Sequence, residues 1–319
     1  MSVLDDGFDP AAVTSPRAAI ASENNKPIGI FDSGIGGLTV ARCIASLLPA
    51  ESIYYVGDTK RCPYGPRPQA EVRLFVRQVG RWLERHDVKL VVIACNTATA
   101  AGLDVIQRAL KVPVIGVIEP GARAAIQATR SRRVGVLATQ GTVDSGAYER
   151  AIHNLDAGVR VTQSAAGSFV DFVERELATG TYLHEDWMDS VGVFDTPEVR
   201  ELARRNVAPL LSRGIDTVVL GCTHFPLLAH EISSALGPDV RTVSSAEETA
   251  REGAGILGRR GELADPASPN LGAGGEPKYR FATTSDDITS FAVAGKFIFG
   301  HSLDSIEHIE LDTLESLVD

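Results

Sequence analysis

From Pro27 onward the chain alternates short, almost wholly apolar runs with longer stretches in which apolar residues return every three or four positions. The short runs read as strands at 28–31, 53–56, 90–94, 114–118, 134–138, 159–163, Thr217–Gly221 and 240–243. Near-continuous apolarity is what a strand covered by helices on both faces requires. Between them, Leu38, Ala41, Ala45 and Leu48 mark a helix over 38–48, and the same period recurs over 72–83 and 103–110. Strands alternating with amphipathic helices predict an α/β fold with a parallel sheet. A β–α–β tail is expected at 279–283, 288–299 and 306–311, after a Gly/Pro-rich surface linker over 259–277.

The pattern also repeats on a larger scale. V-K-L-V-V-I-A-C-N-T (88–97) aligns without gaps with I-D-T-V-V-L-G-C-T-H (215–224), and I-G-I-F-D-S-G (28–34) more weakly with V-G-V-L-A-T-Q (134–140). Two halves with one grammar predict two similar lobes facing each other. The expected division is an aperiodic N-terminal arm at 1–25, a first lobe at 26–119 plus 229–319, and a second lobe at 120–228. The two pairs of echoes are differently spaced, so the second lobe carries an insertion, with 179–197 as the candidate.

Composition narrows the function classes. At about 150 residues per domain, 319 residues make roughly two domains. A content of 44% hydrophobic and 23% charged residues is that of a globular chain. The formal net charge of −10 lacks the electrostatic term behind non-specific nucleic-acid binding, so no nucleic-acid partner is expected. No apolar run approaches the ~20 residues of a membrane span. The opening MSVLDDGFDP has neither a basic start nor an apolar core, so no secretory signal is expected and a cytoplasmic location is. The four cysteines, Cys43, Cys62, Cys95 and Cys222, are then expected as thiols. There is no C-x-x-C, and no second pair accompanies Cys222 and His224, so no metal is expected.

The repeat places Cys95 and Cys222 just past the carboxyl ends of equivalent strands, where open α/β sheets bind ligands. Two thiols reaching one carbon from opposite lobes suit stereoinversion, in which one thiolate removes a proton and the other thiol returns one to the far face. The bland alternative is a pair of core cysteines, the ordinary fate of a free thiol. Asp32-Ser33-Gly34-Ile35-Gly36-Gly37 opens a helix after the first strand but has Thr39 where a dinucleotide fingerprint needs glycine. It reads as a small-anion or amino-group site, with Asp32 accepting from an ammonium, or as a plain glycine-rich turn. In Cys62-Pro63-Tyr64-Gly65-Pro66, Gly65 would let a backbone N–H approach a carboxylate, although a simple turn fits equally. Asn96, Thr97, Thr223 and His224 supply polar groups on both sides of the cleft, and His224 is near enough to Cys222 to poise it. Glu174 reads from its helix as part of a solvated face, Cys43 as core. A pyridoxal-phosphate enzyme would need a Schiff-base lysine, for which only Lys60 is near a strand end. A non-catalytic two-lobed binding protein would have no use for paired thiols.

Six motifs, D-S-G-I-G-G-L (32–38), G-D-T-K-R-C-P-Y-G (57–65), A-C-N-T-A (94–98), I-E-P-G (118–121), L-A-T-Q-G-T-V (137–143) and G-C-T-H-F-P (221–226), occur in an order that resembles the glutamate racemases of the aspartate/glutamate racemase superfamily. The resemblance implies two flavodoxin-like α/β lobes with mainly parallel sheets, related by a pseudo-twofold axis, with the site between them. It implies a cofactor-independent enzyme that interconverts L- and D-glutamate for peptidoglycan synthesis. By similarity Cys95 deprotonates the D-enantiomer with help from Asp32, and Cys222 the L-enantiomer with help from His224. Asp32, Ser33, Tyr64, Gly65, Asn96, Thr97, Thr223 and His224 match substrate-binding positions. Thr139, the second-lobe counterpart of Ser33, is a further contact, and Glu174 aligns with a family glutamate near the site, which places it among the expected catalytic residues against its solvated-face reading. The nearest rival is an aspartate or other amino-acid racemase of the same superfamily. Two partner expectations accompany the resemblance, a second copy of the chain and a protein such as DNA gyrase; neither is written in the residues.

Overall fold

The computed structural model describes residues 24–180, 194–265 and 278–318. The expected arm, except for its last two residues, residues 181–193 of the expected insertion and residues 266–277 of the expected linker lie outside the described residues.

Eight strands form two four-stranded units: β1 (Ile28–Asp32), β2 (Ile53–Gly57), β3 (Leu90–Ile93) and β4 (Val114–Gly116), then β5 (Arg133–Ala138), β6 (Arg160–Ala165), β7 (Thr217–Gly221) and β8 (Arg241–Ser244). Tail strands β9 (Tyr279–Thr283) and β10 (Ile306–His308) extend the first. The sheets run β10-β9-β2-β1-β3-β4 and β6-β5-β7-β8, and every pairing is parallel. Each unit therefore follows one order, second–first–third–fourth. The sequence echoes fall on equivalent strands, β1 with β5 and β3 with β7. The central strands β1, β2, β3 and β7 are buried along their whole length, as their unbroken apolarity requires, whereas edge strands β6 and β8 are only partly covered.

The helices are α1 (Leu38–Leu47), α2 (Gln69–Arg85), α3 (Asn96–Ala109), α4 (Ile118–Ala128), α5 (Gln140–Ser145), α6 (Ala147–Leu155), α7 (Gly167–Thr179), α8 (Pro197–Leu211), α9 (Ala229–Leu236), α10 (Ala246–Arg260), α11 (Ile288–Phe299) and α12 (Leu311–Glu315). Two of them exchange lobes. Helix α4, which follows β4, packs on β7, β8 and α6, and helix α10, which follows β8, packs on α1, β3 and β4. The crossings lie side by side, because a Cβ on Gly121 would stand 3.0 Å from the Tyr148 hydroxyl and 3.3 Å from Ser245 Cβ.

Several expectations shift. The lobe boundary drawn between 228 and 229 moves to the start of α10, since β8 pairs with β7 from Thr217↔Arg241 to Leu220↔Ser244. Residues 259 and 260, expected in the linker, complete α10, which ends at left-handed Gly261. The helix expected over 103–110 begins at Asn96, because the Cys95 side chain caps it by accepting from the Ala98 amide. The strand expected over 114–118 stops at Gly116, and Ile118 opens α4 with Pro120 in the first turn, where its missing N–H costs nothing. The tail strand expected over 306–311 stops at His308, and Leu311 already belongs to α12. Among the described residues, no helix is long and apolar enough to cross a membrane.

Candidate active site

The carboxyl ends of β1, β3, β5 and β7 converge where the lobes meet. At the end of β1, Asp32 is fully buried and its Oδ2 accepts from the Gly34 and Gly37 amides, both at 3.1 Å. The glycines make that turn possible: a Cβ on Gly37 would fall 2.4 Å from Asp32 Cβ. Burial raises the Asp32 pKa above its ordinary 3.8, with His224 and the two amides pulling the other way. The Tyr55 hydroxyl donates to the Gly34 carbonyl at 2.8 Å and holds the loop from below.

At the end of β3, Cys95 caps α3. Its Sγ accepts from the Ala98 amide at 3.4 Å, and the thiol reaches the Ser33 hydroxyl at 3.7 Å. Burial, and then the negative charge of Asp32, push the thiol up to about 12, against these two hydrogen bonds. At the end of β7, Cys222 Sγ lies 3.9 Å from His224 Nδ1, and His224 Nε2 is 2.6 Å from Glu174 Oε1 on α7. Burial by itself would lower the imidazole pKa. Hydrogen bonds to Cys222 and Glu174, with the negative charge of both, outweigh it and hold the ring well above its ordinary 6.5. The Thr223 hydroxyl bridges the lobes, 3.4 Å from both Asp32 Oδ1 and His224 Nδ1.

The surroundings of the two thiols meet across the lobes: Ser33, which Cys95 reaches, follows Asp32, and Asp32 Oδ1 lies 3.4 Å from the hydroxyl of Thr223, next to Cys222. Neither is sealed: Cys95 is 6% exposed and Cys222 8%. The lobes touch closely around them. A Cβ on Gly36 would stand 2.7 Å from both His224 Nδ1 and Thr223 Oγ1, and one on Gly65 2.9 Å from Thr139 Cβ.

Most of the expected site residues thus come together. Thr139, at the end of β5, shares hydrogen bonds with Thr97 (2.8 Å) and Thr142 (3.1 Å), forming a buried hydroxyl cluster between lobes. Asn96 Oδ1 accepts from the Tyr148 hydroxyl at 2.7 Å. The Gly65 carbonyl accepts from the Gly141 amide at 3.0 Å, docking the 62–66 loop on the other lobe. The buried Tyr64 hydroxyl is bonded to Asp58, which also takes Arg61 and Thr284. Glu174 stands against His224, with its side chain partly exposed. Cys62 lies beside the site, with its Sγ 3.0 Å from where a Gly34 Cβ would be. Burial, followed by Glu174 and Asp32, raises its pKa.

Thr142, Tyr148 and Asp58 were not expected at the site, and a helical hydroxyl or phenol carries no local mark of such a contact. Lys60, the one lysine a pyridoxal reading could use, is paired with Asp286 at 3.0 Å and turned outward. Among the described residues, no three His, Cys, Asp or Glu are arranged to hold a metal ion.

The fold and much of the sequence are shared with known racemases. The model of the Asp/Glu/Hydantoin racemase family matches residues 28–253. A glutamate racemase of Lysinibacillus sphaericus is 45% identical over 260 residues, covering 80% of this chain and 92% of that protein. The crystal structure of a Bacillus anthracis glutamate racemase isoform superposes with a TM-score of 0.77 at 42% identity, over 90% of this chain and 98% of that one. A Francisella tularensis glutamate racemase solved with D-glutamate gives 0.78 at 30% identity, over 91% and 99%. With paired thiols at equivalent strand ends and relatives matched along most of its length, the chain belongs to the Asp/Glu/Hydantoin racemase family and is an amino-acid racemase.

Proposed function

We propose that this racemase interconverts L- and D-glutamate, with Cys95 and Cys222 as the two proton carriers and no bound cofactor, and that it supplies D-glutamate for peptidoglycan in the cytoplasm. The observation that carries this reading is the pair of thiols at equivalent strand ends on opposite lobes, each with its own polar helper. In the reaction a thiolate takes the α-proton, the C–H electron pair stays on the α-carbon, and the opposite thiol protonates that carbon from the other face. Asp32 receives the substrate ammonium. The Ser33, Thr97, Thr139 and Thr223 hydroxyls, the Asn96 amide and the backbone N–H of Gly65 receive the carboxylates.

The two halves differ at rest. Bonds to Cys222 and Glu174 hold the His224 ring protonated, whereas burial and Asp32 keep Cys95 protonated. With Cys95 protonated, the free enzyme holds the proton donor for the direction in which Cys222 is the base, by similarity from L-glutamate. A substrate ammonium beside Asp32 offsets the charge that holds Cys95 up, and so lets the reverse direction run.

Racemisation in deuterated water tests the two-base reading. Starting from either pure enantiomer, early product carries deuterium and recovered substrate carries almost none; wash-in to both would indicate a single base. Cys95→Ala and Cys222→Ala each abolish racemisation with an unchanged circular dichroism spectrum, and turnover retained in either refutes the assignment. Faster turnover of aspartate than of glutamate would overturn the substrate. Disrupting the gene makes growth depend on supplied D-glutamate; growth without it refutes the cellular role.

A further inference from the structure

Asp58, just past β2, is fully buried and takes no part in the reaction, yet its carboxylate gathers groups from three segments. Oδ2 accepts from Arg61 Nε at 2.7 Å and from the Tyr64 hydroxyl, and Oδ1 accepts from the Thr284 hydroxyl of the tail at 3.0 Å. Arg61 Nη1 donates to Gln78 on α2 at 2.5 Å, and the guanidinium lies 4.0 Å from the Phe75 ring centroid. The Thr284 hydroxyl also accepts from the Lys60 amide at 2.9 Å. Stability does not account for such a cluster. A buried ion pair seldom improves on well-packed apolar side chains, because desolvation offsets its attraction. Arg61 Nη2 adds a further cost, being buried with no partner among the described residues. What directional bonds in a low-dielectric interior do supply is rigidity.

The cluster reaches groups on both sides of the substrate cleft. On the ammonium side, the Asp58 amide donates to the Asp32 carbonyl at 3.0 Å. On the carboxylate side, Asp58 holds the ring of Tyr64, the residue before Gly65. The Tyr64 carbonyl accepts from the Arg67 amide at 3.0 Å, and Arg67 Nε donates to the Arg61 carbonyl at 2.8 Å. Because C=O and N–H of a trans peptide point in opposite directions, the bond to Tyr64 O also aims the Gly65 N–H. Resting on the glutamate reading above, we propose that Asp58 is a positioning residue that sets the Gly65 N–H against Asp32, and so fixes the spacing between the receivers of the substrate carboxylate and ammonium. Thr284 makes the C-terminal tail part of this support. Asp58 itself does not touch substrate. The thiols stand on β3 and β7, so loosening the cluster weakens substrate binding more than it slows proton transfer.

Thr284→Val keeps the side-chain shape without the hydroxyl, and Tyr64→Phe keeps the ring. In each, the Kd of D-glutamate by calorimetry and the KM of both enantiomers rise about five-fold or more while kcat stays within about three-fold. Thr284→Ser restores wild-type KM. Both bonds act through one carboxylate, so the double variant weakens binding by less than the product of the two single effects. Unchanged Kd and KM in both single variants, whatever their melting temperatures, would leave the cluster purely structural and overturn the proposal, as would effects that multiply in the double variant. A wild-type enzyme that neither binds nor turns over glutamate would instead count against the substrate reading on which the proposal rests.

Discussion

Asp32 shows how far the site departs from what stability alone would select. Its carboxyl has a raised pKa in the fold, so below about pH 3.8 it is neutral folded or unfolded and burial carries no charge penalty. As pH rises through the folded value, the buried charge comes to oppose folding. Asp32→Asn preserves an acceptor for the Gly34 and Gly37 amides and removes that charge. At pH 7 its melting temperature is expected to be unchanged or higher while turnover falls about 10²-fold or more; a clear drop in melting temperature would contradict this. His224 has the same sign with a different meaning. Its raised pKa adds stability that is fully present below 6.5 and is lost as pH rises through the folded value. The stability difference between wild type and Glu174→Gln, read by urea unfolding, therefore shrinks steadily from pH 6.5 upward. Cys95, Cys222 and Asp32 were legible because each stands at the carboxyl end of an apolar strand. Glu174 was named only through its alignment with the family: its helix pattern alone marks a solvated face, and its partner His224 is fifty positions away, brought near only by folding.

Among the elements, the glycine loop between β1 and α1 brings the two lobes into close contact. Gly36→Ala would put a methyl group 2.7 Å from both His224 Nδ1 and Thr223 Oγ1, on the opposite lobe. The chain remains folded, and the lobes are wedged apart at the reacting centre, so kcat/KM falls about 10²-fold. Racemase assays with thermal melts check this, and near-normal kcat/KM would refute it. On α7, Phe169 is fully buried and meets the Phe225 ring edge-on at 5.2 Å. It seats the helix that carries Glu174 against the turn after His224, and Phe169→Ala is expected to cost about 3–5 kcal/mol by urea unfolding. Strand cores and helix periods were readable at this scale, but several ends were not. Helix α3 starts at Asn96 because a thiol caps it, and N-cap rules do not look for cysteine.

At the scale of the molecule, each unit gives its fourth-strand helix to the other, α4 to the second lobe and α10 to the first. Two adjacent crossings then connect lobes whose strand ends face a common cleft. The tail completes the first lobe: β9 pairs with β2 along Ile53–Gly57 and covers an otherwise open edge, while the Thr284 hydroxyl donates to Asp58 Oδ1 at 3.0 Å. A chain ending before Tyr279 would expose the β2 edge and loosen the Asp58–Tyr64 contact under the 62–66 loop. It is expected to aggregate on expression, whereas a monodisperse, active product in sedimentation would show the tail to be dispensable.

The α/β class, the internal duplication and the two strand-end thiols were determined by the sequence, because parallel strands must be apolar on both faces and a repeat leaves its period in the residues. Which lobe held β8 and which side chains came to stand behind the thiols were decided only in three dimensions. Those outcomes depend on contacts between segments far apart along the chain, where hydroxyls and carboxylates that look like ordinary surface become buried partners. Local periodicity records whether a side chain turns inward, but not which neighbour it meets there.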